Sequence, residues 1–300
     1  MGKVFNKIHD LPVVGRVGIV TDRFGSATRG VRAVGDQAFE TNLTAKVIRN
    51  GKELTAAEVM PSLNWLDKLR FGNKTSIDLG SGLVTNVGVL AMANDWNLAA
   101  PSGAAINTLK LAKYHVTGTG TNAAAATDIK LQTPSGFGGQ TPTAGTQVLV
   151  SAANLQKYQT VATVSYTGTE AVTEWALILG ATLTATTGSP FTAGTATTAT
   201  VTATPLTASS ATVQGQQQTI FEDTAAGSLS WGLVTSNTTS VITVPAWYLV
   251  STGAAGVTPV NTDPYTIRPV LWDRKQFAAI NVLSGDSIQF TYTLTIVSGG

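Results

Sequence analysis

From Ile288 to Ile296 the side chains alternate without a break, with Ile288, Phe290, Tyr292, Leu294 and Ile296 set against Gln289, Thr291, Thr293 and Thr295. A period of two held this long, β-branched and aromatic on one side and Thr or Gln on the other, is the pattern of a strand half buried in a sandwich. Such a strand needs neighbours, and the sequence supplies candidates at sandwich-like spacing. INTLKLAKYHV runs into a tight turn at Gly118–Thr121, TQVLV follows, and QTVATVSYTG places Ala162, Val164 and Tyr166 on one face. TEWALIL, SLSWGLVT, TSVITVPAWYLV and YTIRPVLW complete the series. The expected fold is mainly β, an antiparallel, jelly-roll-like β-sandwich with an extended N-terminal arm and one short helix near residues 55–70.

Composition narrows what surrounds this sandwich. Only 12% of the 300 residues are charged, and Thr, Ala, Gly and Ser fill the gap, so hydroxyls carry much of the surface polarity. Twelve of the 19 Lys and Arg precede residue 75, against seven acids. That basic first quarter suits docking onto an acidic neighbour. Cysteine is absent, which removes disulfides and thiolate metal sites. The N-terminus lacks a signal-peptide core, and no run approaches the roughly 18 apolar residues of a membrane span. The expectation is a protein made in a cytoplasm without membrane contact.

Three segments follow along the chain. Residues 1–50 read as a basic arm of short Val/Ile pieces between glycines, with Arg16, Arg23, Arg29 and Arg32 available for protein docking. The Asn50-Gly51 step is a type I′ hairpin signal. Residues 51–104 hold the helix and an irregular β segment: Thr55 with Glu58 forms a capping box, Leu63, Leu66 and Leu69 give an apolar stripe, and Pro61 interrupts. Residues 105–300 form the sandwich, with an exposed hairpin inserted at 181–212, where Thr and Ala make up 21 of 32 residues.

No catalytic set is visible. His9 and His115 have no partners at triad or zinc spacing, and His115 is expected to be structural. Glu170 and Glu174 lie about 13 Å apart along a strand, too far for glycoside hydrolysis, and Glu222 and Asp223 point to opposite faces; all four read as solvated carboxylates. The glycines of GSGLVTNVG and SGFGG lack the ending of a phosphate loop. Asp78, Asp95 and Asp128 have no calcium-loop spacing. No metal and no cofactor is expected. Trp175, Trp231, Trp247 and Trp272 read as core or interface residues, and Trp247-Tyr248 is the pair best placed for ligand stacking. Nucleic acid is disfavoured, because the basic arm has no interleaved aromatics.

The phrase TGTGTNAAAATDIKLQT at residues 117–133, then TEWAL and SGDSIQFTYTLTI, resembles a group of tailed-bacteriophage virion proteins. Gly118–Gly120, Asp128, Leu131–Thr133, Glu174-Trp175 and Gly285-Asp286 stand in the matching positions, and the likeness covers roughly residues 55–70 and 105–300. It implies a non-enzymatic structural protein of the virion, assembled in the host cytoplasm: a capsid decoration protein or a head, neck or tail appendage. Its implied partners are capsid, connector or tail subunits and further copies of itself, a trimer being the leading expectation. The alternative is a tail-fibre component or adhesin that binds a host-surface glycan.

Overall fold

The computed structural model describes residues 16–21, 27–32, 38–97, 108–152, 155–180, 186–187, 191–201, 230–259 and 264–297. The chain is mainly β, with antiparallel sheets and few helices. The sandwich strands, in chain order, begin with β1 (Ala38–Arg49), β2 (Lys52–Leu54), β3 (Ile77–Gly80), β4 (Leu83–Val84), β5 (Tyr114–Gly118) and β6 (Thr143–Ala144). They continue with β7 (Thr146–Ala152), β8 (Leu155–Ser165), β9 (Glu170–Ile178), β10 (Leu271–Val282) and β11 (Ser287–Val297). One sheet runs β2-β1-β11-β8-β7, with β3 also pairing β1. The other runs β4-β10-β9-β5-β6.

The alternating strand that opened the sequence reading is β11, at the middle of the first sheet. Its register aligns rows of like side chains: Val47, Ile288 and Val164 form one row, Ala45, Phe290 and Ala162 the next, and Leu43, Tyr292 and Thr160 the third. All nine are buried, as pairing of apolar residues on one pleated face requires. Trp175 of β9 meets them from the second sheet, stacking on Tyr292 at 5.5 Å between centroids and tilting against Phe290 at 6.4 Å. Leu294 and Ile296, past the third row, are only partly buried.

The arm is shorter than the sequence reading drew it. Residues 38–49 are β1, a full partner of β11, and the alternation of Leu43, Ala45 and Val47 with Asn42, Thr44 and Lys46 is the same period-two signal. The turn after β1 is as expected: Asn50 and Gly51 both have positive φ, 50° and 77°, and join β1 to β2. Ahead of β1, Arg16–Thr21 pairs antiparallel with Ala27–Arg32.

Nor is there a single helix. α1 (Ala56–Val59) is one turn, closed by the Glu58 carboxylate accepting the Thr55 N–H at 2.6 Å. The break at Pro61 separates it from α2 (Trp65–Phe71), where the Asn64 side chain caps the Asp67 N–H at 2.9 Å. A third helix, α3 (Asn86–Asn97), occupies text expected to be irregular β. Its start is fixed by the Thr85 hydroxyl, which accepts the Gly88 N–H at 3.1 Å and donates to the Leu271 carbonyl. Gly88 is needed there, since a Cβ would lie 2.7 Å from the Trp272 carbonyl oxygen.

Between β9 and β10 the chain builds a smaller β unit. Within the Thr/Ala-rich segment Phe191–Gly194 pairs antiparallel with Thr198–Val201. The pair is not a free projection: Thr198–Val201 pairs on with Val241–Thr243, and Ala199 and Val201 are buried with Val234, Ile242, Val244 and Trp247. Of the expected span 181–212, residues 181–185, 188–190 and 202–212 lie outside the described residues.

The turn from β10 to β11 is pinned to the end of β1. Arg49 donates to both oxygens of the buried Asp286 carboxylate, at 2.8 and 2.7 Å, and the Leu283 N–H donates to it at 2.8 Å. The Arg49 hydrogen bonds hold the Asp286 pKa below the ordinary carboxylate range. A lowered acid pKa stabilises the fold above that range, and the stability is lost as pH falls through the folded value. Asp286→Asn is therefore expected to cost about 1–2 kcal/mol near neutral pH. Urea unfolding of the variant and the parent should converge on acidification, and parallel curves would contradict the assignment.

Candidate functional site

The densest polar constellation lies on the outer face of the second sheet. Residues 172–178 of β9 are all buried, which a strand achieves only when both faces are covered. One face meets the first sheet, and residues 119–133 fold over the other. Glu174, fully buried, holds that loop. Its Oε1 accepts the N–H groups of Gly120 at 3.1 Å and Thr133 at 2.8 Å, and its Oε2 accepts that of Gln132 at 3.1 Å. Arg274 of β10 completes the shell through Nε at 2.9 Å and Nη2 at 2.7 Å. The same guanidinium reaches Asp128 at 2.7 Å and the Asn122 carbonyl at 3.2 Å. Close glycines make room, since a Cβ on Gly118 or Gly120 would lie 2.6 or 2.5 Å from Glu174 Oε1.

Glu174 is thus no solvated carboxylate, contrary to the sequence reading. Five donors saturate an acceptor with about four lone-pair sites, so its work is to shape the loop. Glu170, partly exposed, accepts from the Ser135 hydroxyl. The partner that explains Glu174 comes from a strand 100 residues later, beyond any local spacing rule. Asp128 figures in the sequence reading as an unsupported calcium candidate and as a position of the resemblance, and the structure sets it against Arg274. Among the described residues no group of three or more His, Asp or Glu side chains is placed to hold a metal ion.

Between the sheets lie two further ionisable side chains. His115, buried as expected, accepts the Trp175 indole N–H on Nδ1 at 3.1 Å, so its Nε2–H faces Thr160 Oγ1 at 3.2 Å. Burial lowers its pKa to about 3, and it stays neutral. Asp273 is also fully buried, with the Tyr292 hydroxyl and the Leu83 N–H as neighbours that lower its pKa but make no well-formed hydrogen bond to either oxygen. Burial raises its pKa to about 7.

The residues singled out for binding are dispersed. Arg16 and Arg32 are register partners in the N-terminal hairpin, and Arg29 pairs with Ile19; Arg23 lies outside the described residues. Trp247 is only 4% exposed, and its indole N–H donates to the Thr195 carbonyl at 3.0 Å. It fills the core of the smaller unit and offers no open stacking face, which corrects its role as a ligand platform. Tyr248 is half-buried and stacks on Trp231 at 4.7 Å.

α2 leaves an apolar patch at the surface. Of the apolar stripe Leu63, Leu66 and Leu69, only Leu63 is buried. On α2, Trp65 is 69% and Leu69 74% exposed, with Leu66 beside them, and Lys68 and Arg70 are exposed on the same short helix. The cavity beneath, between Met60, Leu63, Phe71 and Ile77, holds about 80 Å³. A wider, open depression of about 540 Å³ lies beside it, lined by Asp67, Arg70, Phe71 and Lys74. No helix among the described residues is long and apolar enough to cross a membrane.

Two predictions follow from the buried charges. Glu174→Ala leaves Arg274 and three N–H groups without their acceptor and is expected to cost about 3–5 kcal/mol by chemical denaturation. Loss within 1 kcal/mol, roughly the worth of a surface ion pair, would contradict the structure. Asp273 and His115 pull in opposite directions. A raised acid pKa favours the fold below the ordinary carboxylate value and is lost as pH rises to about 7; a lowered His pKa favours it above the ordinary His value and is lost as pH falls to about 3. Asp273→Asn should therefore raise stability above pH 7 and unmask a steeper decline on acidification, read from thermal melts across that range.

Comparison with protein-family models, with curated proteins and with solved structures finds no match to this chain.

Proposed function

We propose that the chain is a non-enzymatic structural component of a tailed-bacteriophage virion, decorating the capsid or forming a head, neck or tail appendage. It works by docking to capsid, connector or tail subunits and to copies of itself. The observation that carries this reading is the placement of large apolar side chains at the surface. Trp65 and Leu69 on α2, and Leu149 on β7, are each about 70% exposed, where a chain acting alone would gain by polar residues. The resemblance supports it from another side: its phrase at residues 117–133 forms the loop held by Glu174 and Arg274, a structural use of polar residues that in a hydrolase would do chemistry. The basic segment ahead of β1 supplies a second docking element.

The adhesin reading has less support, because Trp247, the side chain first assigned to a glycan, is enclosed. A loss of host-cell binding in Trp247→Ala would now report lost packing as readily as a lost contact.

Immunogold labelling and mass spectrometry of purified particles test the proposal, and absence of the chain from particles would overturn it. Deletion of residues 1–37 spares β1 and should leave the sandwich folded by circular dichroism while abolishing incorporation. The pair Trp65→Ser and Leu69→Ser alters only exposed positions. It should preserve the melting temperature within a few degrees and reduce incorporation at least tenfold; unchanged incorporation of both variants would remove the assigned docking surfaces.

A further inference from the structure

Among the described residues, the first sheet ends on an unguarded strand. β7 pairs with β8 on one side, and among the described residues nothing pairs with its other side. Soluble proteins protect such an edge with charge, proline, bulges or brevity. β7 has seven residues, and no charged residue or proline occurs from Gly145 to Gln156. At its centre Val148, Leu149 and Val150 are 43%, 69% and 41% exposed. Apolar exposure on both faces of one edge strand is what a further strand would cover.

The other sandwich edges differ. β2 has three residues, of which Lys52 and Glu53 are exposed and charged, and Glu53 is paired with Lys46. β4 and β6 have two residues each. β3, which also edges the first sheet, has four residues with Asp78 among them. Among the edge strands of the described residues β7 alone is both long and neutral, so the sandwich edge that best matches β7 is β7 itself.

Its sequence is suited to that pairing. About Leu149 the strand is nearly palindromic: Val148 and Val150 flank the centre, Gln147 and Ser151 come next, then Thr146 and Ala152. A two-fold axis at Leu149 would set each residue against its counterpart, the self-complementarity an isologous contact demands. The rows of the sheet continue across the junction. β8 places Tyr158 beside Leu149, Lys157 beside Val150 and Gln159 beside Val148. One row would then read Tyr158, Leu149, Leu149, Tyr158. The next would run Lys157, Val150, then Val148 and Gln159 of the second copy, so each lysine is followed by apolar neighbours and no like charges are adjacent in a row.

We infer that two copies of this chain join antiparallel through β7, centred on Leu149, to make one continuous ten-stranded path from the two five-stranded ones. The contact is two-fold and predicts a dimer where an appendage suggests a trimer. It does not depend on the virion reading. Edge pairing of seven residues lies at or below the low end of specific interfaces, roughly 1,200 Å² in total, so association is expected in the micromolar range.

The absence of cysteine makes the register testable in the full-length chain. Paired residues across antiparallel strands have Cα atoms about 4.5–5.5 Å apart, within disulfide reach. Leu149→Cys should form a linked dimer on mild oxidation, whereas Gln147→Cys and Ser151→Cys should link to each other when mixed and much less to themselves. Sedimentation velocity of the parent should show a monomer–dimer equilibrium, and Leu149→Lys should weaken it at least tenfold with an unchanged circular dichroism spectrum. A monomer at every concentration, a trimer, a dimer indifferent to Leu149→Lys, or Gln147→Cys self-linking as fast as Leu149→Cys would overturn the pairing. Absence of the chain from particles would count against the virion reading and leave this one standing.

Discussion

A buried carboxylate costs several kcal/mol unless its lone pairs are met by donors, and around Glu174 the fold satisfies that demand with parts of three elements. The strand β9 carries the charge, β10 supplies Arg274, and the loop after β5 contributes three backbone N–H groups. The loop has little regular structure of its own, so its path depends on this one acceptor. Asp128 then fixes the far end of the guanidinium, and its second link to the Ala125 N–H at 2.8 Å ties the middle of the loop to the same network. Two close glycines allow the approach. The arrangement resembles a clasp across the outer face of the second sheet, leaving its inner face free for Trp175.

Polarity inside the sandwich is handled differently. His115 is satisfied on both nitrogens and contributes no charge, whereas Asp273 has the Tyr292 hydroxyl and the Leu83 N–H beside it without a well-formed hydrogen bond, and burial raises its pKa to about 7. A raised acid and a lowered base oppose one another over the same pH interval. Their sum is flatter than either alone. The core thus tolerates two ionisable groups without a strong pH preference, provided both are present.

Much of the architecture was legible because its signal is local. The alternation in β11, the Asn50-Gly51 turn and the Thr55–Glu58 cap each follow from chemistry within a few residues. The misreadings have equally physical origins. β1 was assigned to an arm since glycines and arginines nearby masked a short run of the same alternation. α3 was missed because Val, Gly and Asn dilute helix propensity, and its cap at Thr85 becomes decisive only once Leu271 is near. Glu174 and Arg274 could not be paired from spacing, and the exposure of Leu66 and Leu69 is decided by what fails to cover α2. Periodicity reports that a face is apolar; it does not report whether a neighbour arrives within the same chain.

The position of β11 also bears on how the molecule is made. β1 and β11 are central partners, with Val47 opposite Ile288, so the first sheet cannot close until a segment some 240 residues downstream has left the ribosome. At about 5–20 residues per second that interval is roughly 12–48 s, during which one edge of β1 waits without its partner. Long-range pairing of this kind is slow by topology. Synthesis therefore exposes the nascent chain to a window in which its neighbours on a polysome, each presenting the same waiting strand, compete with the correct intramolecular closure.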